Sequence, residues 1–143
     1  MTQLEAAGLT WKSYQQGMAA GTCPIASSGM YAAKHDPFVF FKDVSGTPPS
    51  AATQRCKDHH APIGDFATDL AADRLPNYAF VMPDLCHDMH GDLACPSGLS
   101  TNANIKAGDD WLAANLPPML SFAHTHDATI LLIWDEEIGR AHV

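Results

Sequence analysis

The apolar positions of this chain fall into short runs with two different periods. Residues 3–7 (Gln-Leu-Glu-Ala-Ala) read as a helix end stopped by Gly8, the residue that most easily adopts a left-handed C-terminal cap. Leu9, Trp11 and Ser13 then alternate with Thr10, Lys12 and Tyr14, which predicts a strand. Residues 65–74 (DFATDLAADR) place Phe66, Ala67 and Leu70 on one helical face, with Asp65 near the start and Arg74 near the end, as the helix dipole prefers. Tyr78–Met82 is almost wholly apolar, the pattern of a strand covered on both faces. A second helix is predicted from near Gly108-Asp109-Asp110 through Trp111, Leu112 and Leu116, bent or interrupted at Pro117-Pro118. Thr129–Trp134 (TILLIW), apolar and β-branched, is the strongest predicted strand. Helix and strand alternate and the strands are continuously apolar. That order predicts an α/β domain with a mainly parallel sheet.

Between these elements, residues 17–34 read as a long loop, and Pro37–Phe41 as an apolar segment that packs a loop onto the core. Ser45–Pro49 and Ala61-Pro62 punctuate a further irregular region.

Composition narrows the function classes. The 143 residues suit one domain, with 46% hydrophobic and 17% charged positions. A net charge of -8 with only 8 Lys and Arg argues against nucleic-acid binding through a basic face. No apolar run approaches the ~20 residues of a membrane span. The first residues, Met1-Thr2-Gln3-Leu4-Glu5, are already amphipathic and do not read as a signal peptide.

Cys23, Cys56, Cys86 and Cys95 fit no common zinc framework. Their even number and loop-like neighbours favour disulfides and an oxidising compartment, with four reduced thiols as the alternative. Of the three connectivities possible for four cysteines, Cys23–Cys56 and Cys86–Cys95 are preferred, because each closes a loop containing Gly, Pro or Ser.

Candidate chemistry gathers where two apolar runs end. Tyr78–Met82 leads into Pro83-Asp84-Leu85-Cys86-His87-Asp88-Met89-His90, and Thr129–Trp134 into Asp135-Glu136. Ligands of open α/β sheets bind beyond the carboxyl ends of strands. Carboxylates with one or two imidazoles suit a divalent cation that polarises a phosphoryl oxygen. The same residues also suit ordinary turns: Asp84 and Asp92 as turn formers, His87 and His90 as solvated loop residues. His124 and His126 look like an exposed loop, and His59-His60 like surface. Lys34-His35-Asp36-Pro37 is a third candidate, a basic residue beside an imidazole that can bind phosphate or protonate a leaving group, although a plain turn has the same composition.

Taken in order, Gln3–Tyr14, Lys34–Phe41, Leu75–Tyr78, Pro83–His90, Asp110–Pro118 and Ile130–Glu136 resemble the phosphoesterase family of acid phosphatases and phospholipases C, within the alkaline-phosphatase-like superfamily. The resemblance implies a partial α/β alkaline-phosphatase-like sandwich over residues 1–136 and an exported hydrolase of phosphoric esters. Its substrate would be a small phosphate ester or phospholipid. It implies His35, Asp88 and His90 as catalytic residues, and Asp135 and Glu136 as ligands of a divalent metal ion. Asp36 departs from the family's usual Lys-His-Asn-Pro, and Asp84 and His87 from its Pro-Asn-Leu-Cys-Asn-Asp-Met-His. The family's first strand, its Glu-Asn metal pair and its Ser or Thr nucleophile have no counterpart in the chain, which is therefore expected to be a fragment, inactive alone. Glu137–Val143 departs from the Gly-rich continuation of the family. One back-translation, GAG ATC GGA AGA GCA CAC GTC, contains the start of a common sequencing adapter, so residues 137–143 are read as a non-native tail. The rival reading is a non-catalytic, disulfide-bonded extracellular module that holds a structural cation.

Overall fold

The computed structural model describes residues 1–134, and Asp135, Glu136 and the tail 137–143 lie outside the described residues. The chain forms two compact units, one from Met1 to Asp84 and one from Leu85 onward.

The first unit is built on three parallel strands, β1 (Trp11–Gln15), β2 (His60–Pro62) and β3 (Tyr78–Met82), in the order β2-β1-β3. Ser13 stands opposite His60 on one side and Phe80 on the other. Helix α1 (Thr2–Ala6) ends as expected: Gly8 is left-handed (φ 75°), and the N–H of Leu9 reaches back to the carbonyl of Leu4 at 2.9 Å. Asn77 fixes the other strand entry, its Oδ1 accepting from both the N–H (2.9 Å) and the hydroxyl (3.0 Å) of Thr10.

The two faces of β1 meet different partners. Trp11 packs with Phe38, Val39, Val44 and the Cys23–Cys56 disulfide. The 3₁₀ turn Pro37–Phe40 thus does what its apolar run predicts. Tyr14, on the opposite face, meets Phe66 of α4 (Ile63–Ala71), with ring centroids 5.2 Å apart. Its hydroxyl donates to Asp69 at 2.9 Å, and Lys12 pairs with the same carboxylate at 3.3 Å. Burial, and after it the Asp69 carboxylate, pushes the Tyr14 hydroxyl well above the ordinary phenol range, so it stays a donor. Short helices α2 (Lys42–Ser45) and α3 (Gln54–His59) complete the cover over the Trp11 face.

The second unit carries the disulfide Cys86–Cys95 and one long helix, α5 (Thr101–His126). Both disulfides match the preferred connectivity. The α/β class and the parallel sheet are also as predicted.

Several expectations fail for identifiable reasons. The predicted helix near Gly108 begins earlier, at Thr101, and runs through Pro117 and Pro118 without ending. A helical proline strips the carbonyl four residues earlier of its donor. Here those carbonyls belong to Ala113 and Ala114, both exposed, so water can satisfy them. His124 and His126 are exposed, but in the last turn of this helix and not in a loop. Thr129–Trp134 forms no strand: a β-branched run becomes one only against a ladder partner, and among the described residues none pairs with it. Strand β3 is only half-buried, with Tyr78 exposed, where its apolar run predicts cover on both faces; among the described residues it is also a sheet edge.

Candidate active site

In the first unit, chemistry collects around His35. This residue ends the 3₁₀ turn Ala33–His35 and is half-buried; the next residue, Asp36, is fully buried. Asp36 accepts from the Ser13 hydroxyl at 3.2 Å and from the Tyr31 hydroxyl at 3.2 Å, and lies 3.3 Å from Nε2 of His60. Gln15 donates to Ser13 at 2.8 Å, extending the network along the inward face of β1. Tyr31 is kept protonated by burial and then by the Asp36 charge, and its one hydroxyl proton is shared between Asp36 and the Pro24 carbonyl at 2.9 Å. Nδ1 of His60 faces the carbonyl of Cys56 at 2.6 Å and its disulfide sulfur at 3.6 Å, neither of which can donate, so Nδ1 carries a proton.

The expectation of a surface His59-His60 pair is therefore wrong. His60 is buried because β2 starts with it and points it inward at Asp36. His59 stacks on Trp11, with ring centroids 4.2 Å apart, and its Nδ1 lies 2.9 Å from the Trp11 carbonyl. The Trp11 indole N–H and Arg55 bind Glu5 at 3.0 and 2.7 Å, which holds that carboxyl below its usual range, with the indole as the larger cause. This cluster joins α1 to β1 and α3.

The carboxyl ends of β1 and β3 adjoin. Gln16 donates its N–H to the carbonyl of Met82 at 3.0 Å, and its side-chain oxygen accepts from the N–H of Asp84 at 3.2 Å. Asp84 thus lies beyond the strand end, where sequence reasoning expects ligands.

In the second unit the Leu85–Gly91 segment is braced from several directions. Asp88 Oδ1 accepts from the N–H groups of His90 (2.9 Å) and Gly91 (3.1 Å), so this carboxylate shapes the turn. Met89 is left-handed (φ 72°), a conformation that costs a non-glycine residue on the order of 1 kcal/mol. Its side chain is buried against α5 at Gly108, where an added Cβ would stand 2.3 Å from Met89 Cγ. Asn104, 1% exposed, donates its amide to the His90 carbonyl at 2.8 Å. Gly91 (φ 86°) must lack a side chain, because a Cβ there would lie 2.0 Å from that amide nitrogen. The indole N–H of Trp134 donates to the sulfur of Met89 at 3.3 Å.

This bracing sets the chemistry of His90. Its Nδ1 lies 3.1 Å from the Gly91 carbonyl, so in the neutral ring Nδ1 holds the proton and Nε2 is the basic nitrogen, suited to proton transfer or ligation. The fold brings Asp88 and His90 together on one turn; His35 stands in the first unit, and Asp135 and Glu136 lie outside the described residues. Among the described residues no three His, Cys, Asp or Glu side chains converge as a metal site. Asn104, Gly91, Gly108 and His60 were not singled out from sequence as site residues. Only Gly91, a glycine directly after Asp88-Met89-His90, gives a local hint of its role.

Comparison with known proteins bears on this arrangement. The model of the Phosphoesterase family matches residues 1–143. The chain belongs to the phosphoesterase family. Among phosphoesterase relatives, a phosphatidylinositol-3-phosphatase of Mycobacterium tuberculosis is 28% identical over 138 residues, 96% of this chain and 39% of the relative. An acid phosphatase of Aspergillus fumigatus is 30% identical over 75% of this chain and 20% of its own length. A probable acid phosphatase of Kluyveromyces lactis is 26% identical over 93% of this chain and 30% of its own. The chain thus spans well under half the length of these relatives. No solved structure gives a significant match.

Proposed function

We propose that this phosphoesterase chain hydrolyses phosphoric esters, as part of an acid phosphatase or phospholipase C-like enzyme working outside the cytoplasm. The observation that carries the reading is the braced Asp88–Gly91 turn, which presents a half-buried imidazole with a defined basic nitrogen, within a chain matched throughout by the Phosphoesterase family. His35 in the first unit and His90 in the second are each assigned a proton-transfer role, His35 with Lys34 beside it for phosphate charge, and Asp88 holds His90 in place. Asp135 and Glu136 supply hard oxygen ligands suited to a divalent ion, which would polarise the phosphoryl group and offset its charge. No nucleophile is assigned among residues 1–143. Two disulfides support an oxidising compartment.

The test is hydrolysis of a chromogenic phosphate monoester and of a phospholipid by the intact protein, with and without chelator. Activity that the chelator and Asp135→Asn abolish, and that His90→Ala lowers by about a hundredfold or more, is the expected result. Full activity in His90→Ala or with Asp135→Asn removes that residue from its role. A protein that binds a divalent ion but hydrolyses neither ester is a binding module instead.

A further inference from the structure

The contact between Asp36 and His60 contains more than a packing interaction. Both side chains are fully buried: the Ser13 and Tyr31 hydroxyls face Asp36, and the Cys56 carbonyl faces His60. Since Nδ1 of His60 must donate to Cys56, Nε2 would turn a lone pair toward a carboxylate oxygen at 3.3 Å unless a proton lies between them. Two facing lone pairs in a buried site repel, so the pair holds one proton, on either side.

That proton ties three elements together. Asp36 follows His35 directly, and its own N–H closes the 3₁₀ turn onto the Ala33 carbonyl at 3.0 Å. Its carboxylate reaches β1 through Ser13, and β2 and α3 through His60. We propose that Asp36 and His60 are positioning residues of the active site, clamping the Ala33–His35 turn to β1 and β2 through one buried proton and so fixing where His35 stands. The inference rests on the reading of His35 as a catalytic group.

The network also says which substitution it tolerates. An asparagine at position 36 can keep its oxygen toward Tyr31 and turn its amide toward His60, donating to Nε2 of the neutral ring and needing no buried proton, at the cost of the hydrogen bond that Ser13 donates to Oδ1. An alanine can do neither. Three variants of the intact protein test this: Asp36→Asn, Asp36→Ala and His35→Ala. Nitrogen-edited spectra of the imidazoles should show a solvent-protected low-field proton at His60 Nε2 that vanishes in Asp36→Asn. Amide exchange at His35 and Asp36 should stay slow in Asp36→Asn and quicken at least about tenfold in Asp36→Ala, with the amides of β1 unchanged. For ester hydrolysis, kcat should fall about a hundredfold in Asp36→Ala at near-constant KM, the scale of a misplaced catalytic group, and return to near the parent value in Asp36→Asn.

Parent-like exchange and kcat in Asp36→Ala would overturn the proposal, as would the absence of any proton at His60 Nε2. Faster exchange with unchanged kcat would also overturn it, leaving only a structural role. Parent activity in His35→Ala would overturn instead the reading of His35, and the imidazole and exchange data would still decide whether the pair clamps the turn.

Discussion

Asn104 donates its side-chain amide to the main-chain carbonyl of His90 at 2.8 Å, from a position 1% exposed to solvent. The hydrogen bond joins the first turns of α5 to the segment that carries Asp88 and His90. Asn104→Ala leaves a carbonyl without its donor and a gap beside Gly91, so a loss of about 1–3 kcal/mol in unfolding free energy is expected. Asn104→Asp should cost more, since it puts a carboxylate in place of the donor against that carbonyl oxygen. Urea titration of the two variants checks both the size and the order. Equal midpoints for Asn104→Ala and the parent would remove this bond from the account.

Two glycines in helices should answer an added methyl group with opposite signs. At Gly108 the new Cβ would meet Met89 Cγ at 2.3 Å and the His87 carbonyl at 3.0 Å. Gly108→Ala should therefore displace Met89, destabilising the chain by about 1–3 kcal/mol and lowering ester hydrolysis through the His90 turn. At Gly64, in the first turn of α4, nothing lies within 4 Å. Gly64→Ala should stabilise by about 0.5–1 kcal/mol, because alanine loses less backbone freedom on entering a helix. Thermal midpoints of the two variants moving in the same direction would contradict this.

Why sequence reading found some of this and not the rest follows from the range of each interaction. Gly8, the alternation through Trp11 and Tyr14, and the run Tyr78–Met82 carry local signals, and each became the predicted element. Cysteine pairing also followed from the Gly, Pro and Ser content of the loops that each bridge closes. His60 failed because its surroundings come from elsewhere: Asp36 lies 24 residues away, and Lys57 and Asp58 beside it in sequence suggest surface. The same holds for Asn104, whose partner is 14 residues distant and is a backbone atom without sequence identity. Thr129–Trp134 failed in the reverse way, its composition supplying the propensity for a strand but not the partner. Of the candidate site, the Asp88–His90 turn was legible as a cluster of residue types, and the bracing that fixes His90 was not.

Acid should loosen the first unit at α1. The Thr2 hydroxyl and N–H bind Asp43, with the N-terminal ammonium as a lesser cause, and hold its carboxyl at about 2, below its ordinary 3.8. The folded value is the lower one, so the contribution is full above the ordinary value and disappears as pH falls from about 4 to about 2. The side chain is 36% exposed, so salt should weaken the effect. Melting curves of the parent and Asp43→Asn should differ at pH 5 and converge near pH 2. A constant difference across that range would show that Asp43 acts by packing alone.

The two disulfides should differ in what they contribute. Cys23–Cys56 spans 33 residues and Cys86–Cys95 only 9. On the chain-entropy account, closing the longer loop restricts the unfolded chain by about 4 kcal/mol and the shorter by about 2.5. The longer bridge is also buried among Trp11, Phe38, Val39 and Val44, so replacing it disturbs packing as well. Cys23→Ala with Cys56→Ala should therefore destabilise more than Cys86→Ala with Cys95→Ala. The functional order should be the opposite. The short bridge closes the segment that holds Asp88 and His90, so its loss should lower ester hydrolysis under conditions where the chain remains folded. Unfolding curves and activity measured on the same two double variants separate these effects. If the pair that is less stable is also less active by the same factor, the short bridge has no role in holding His90.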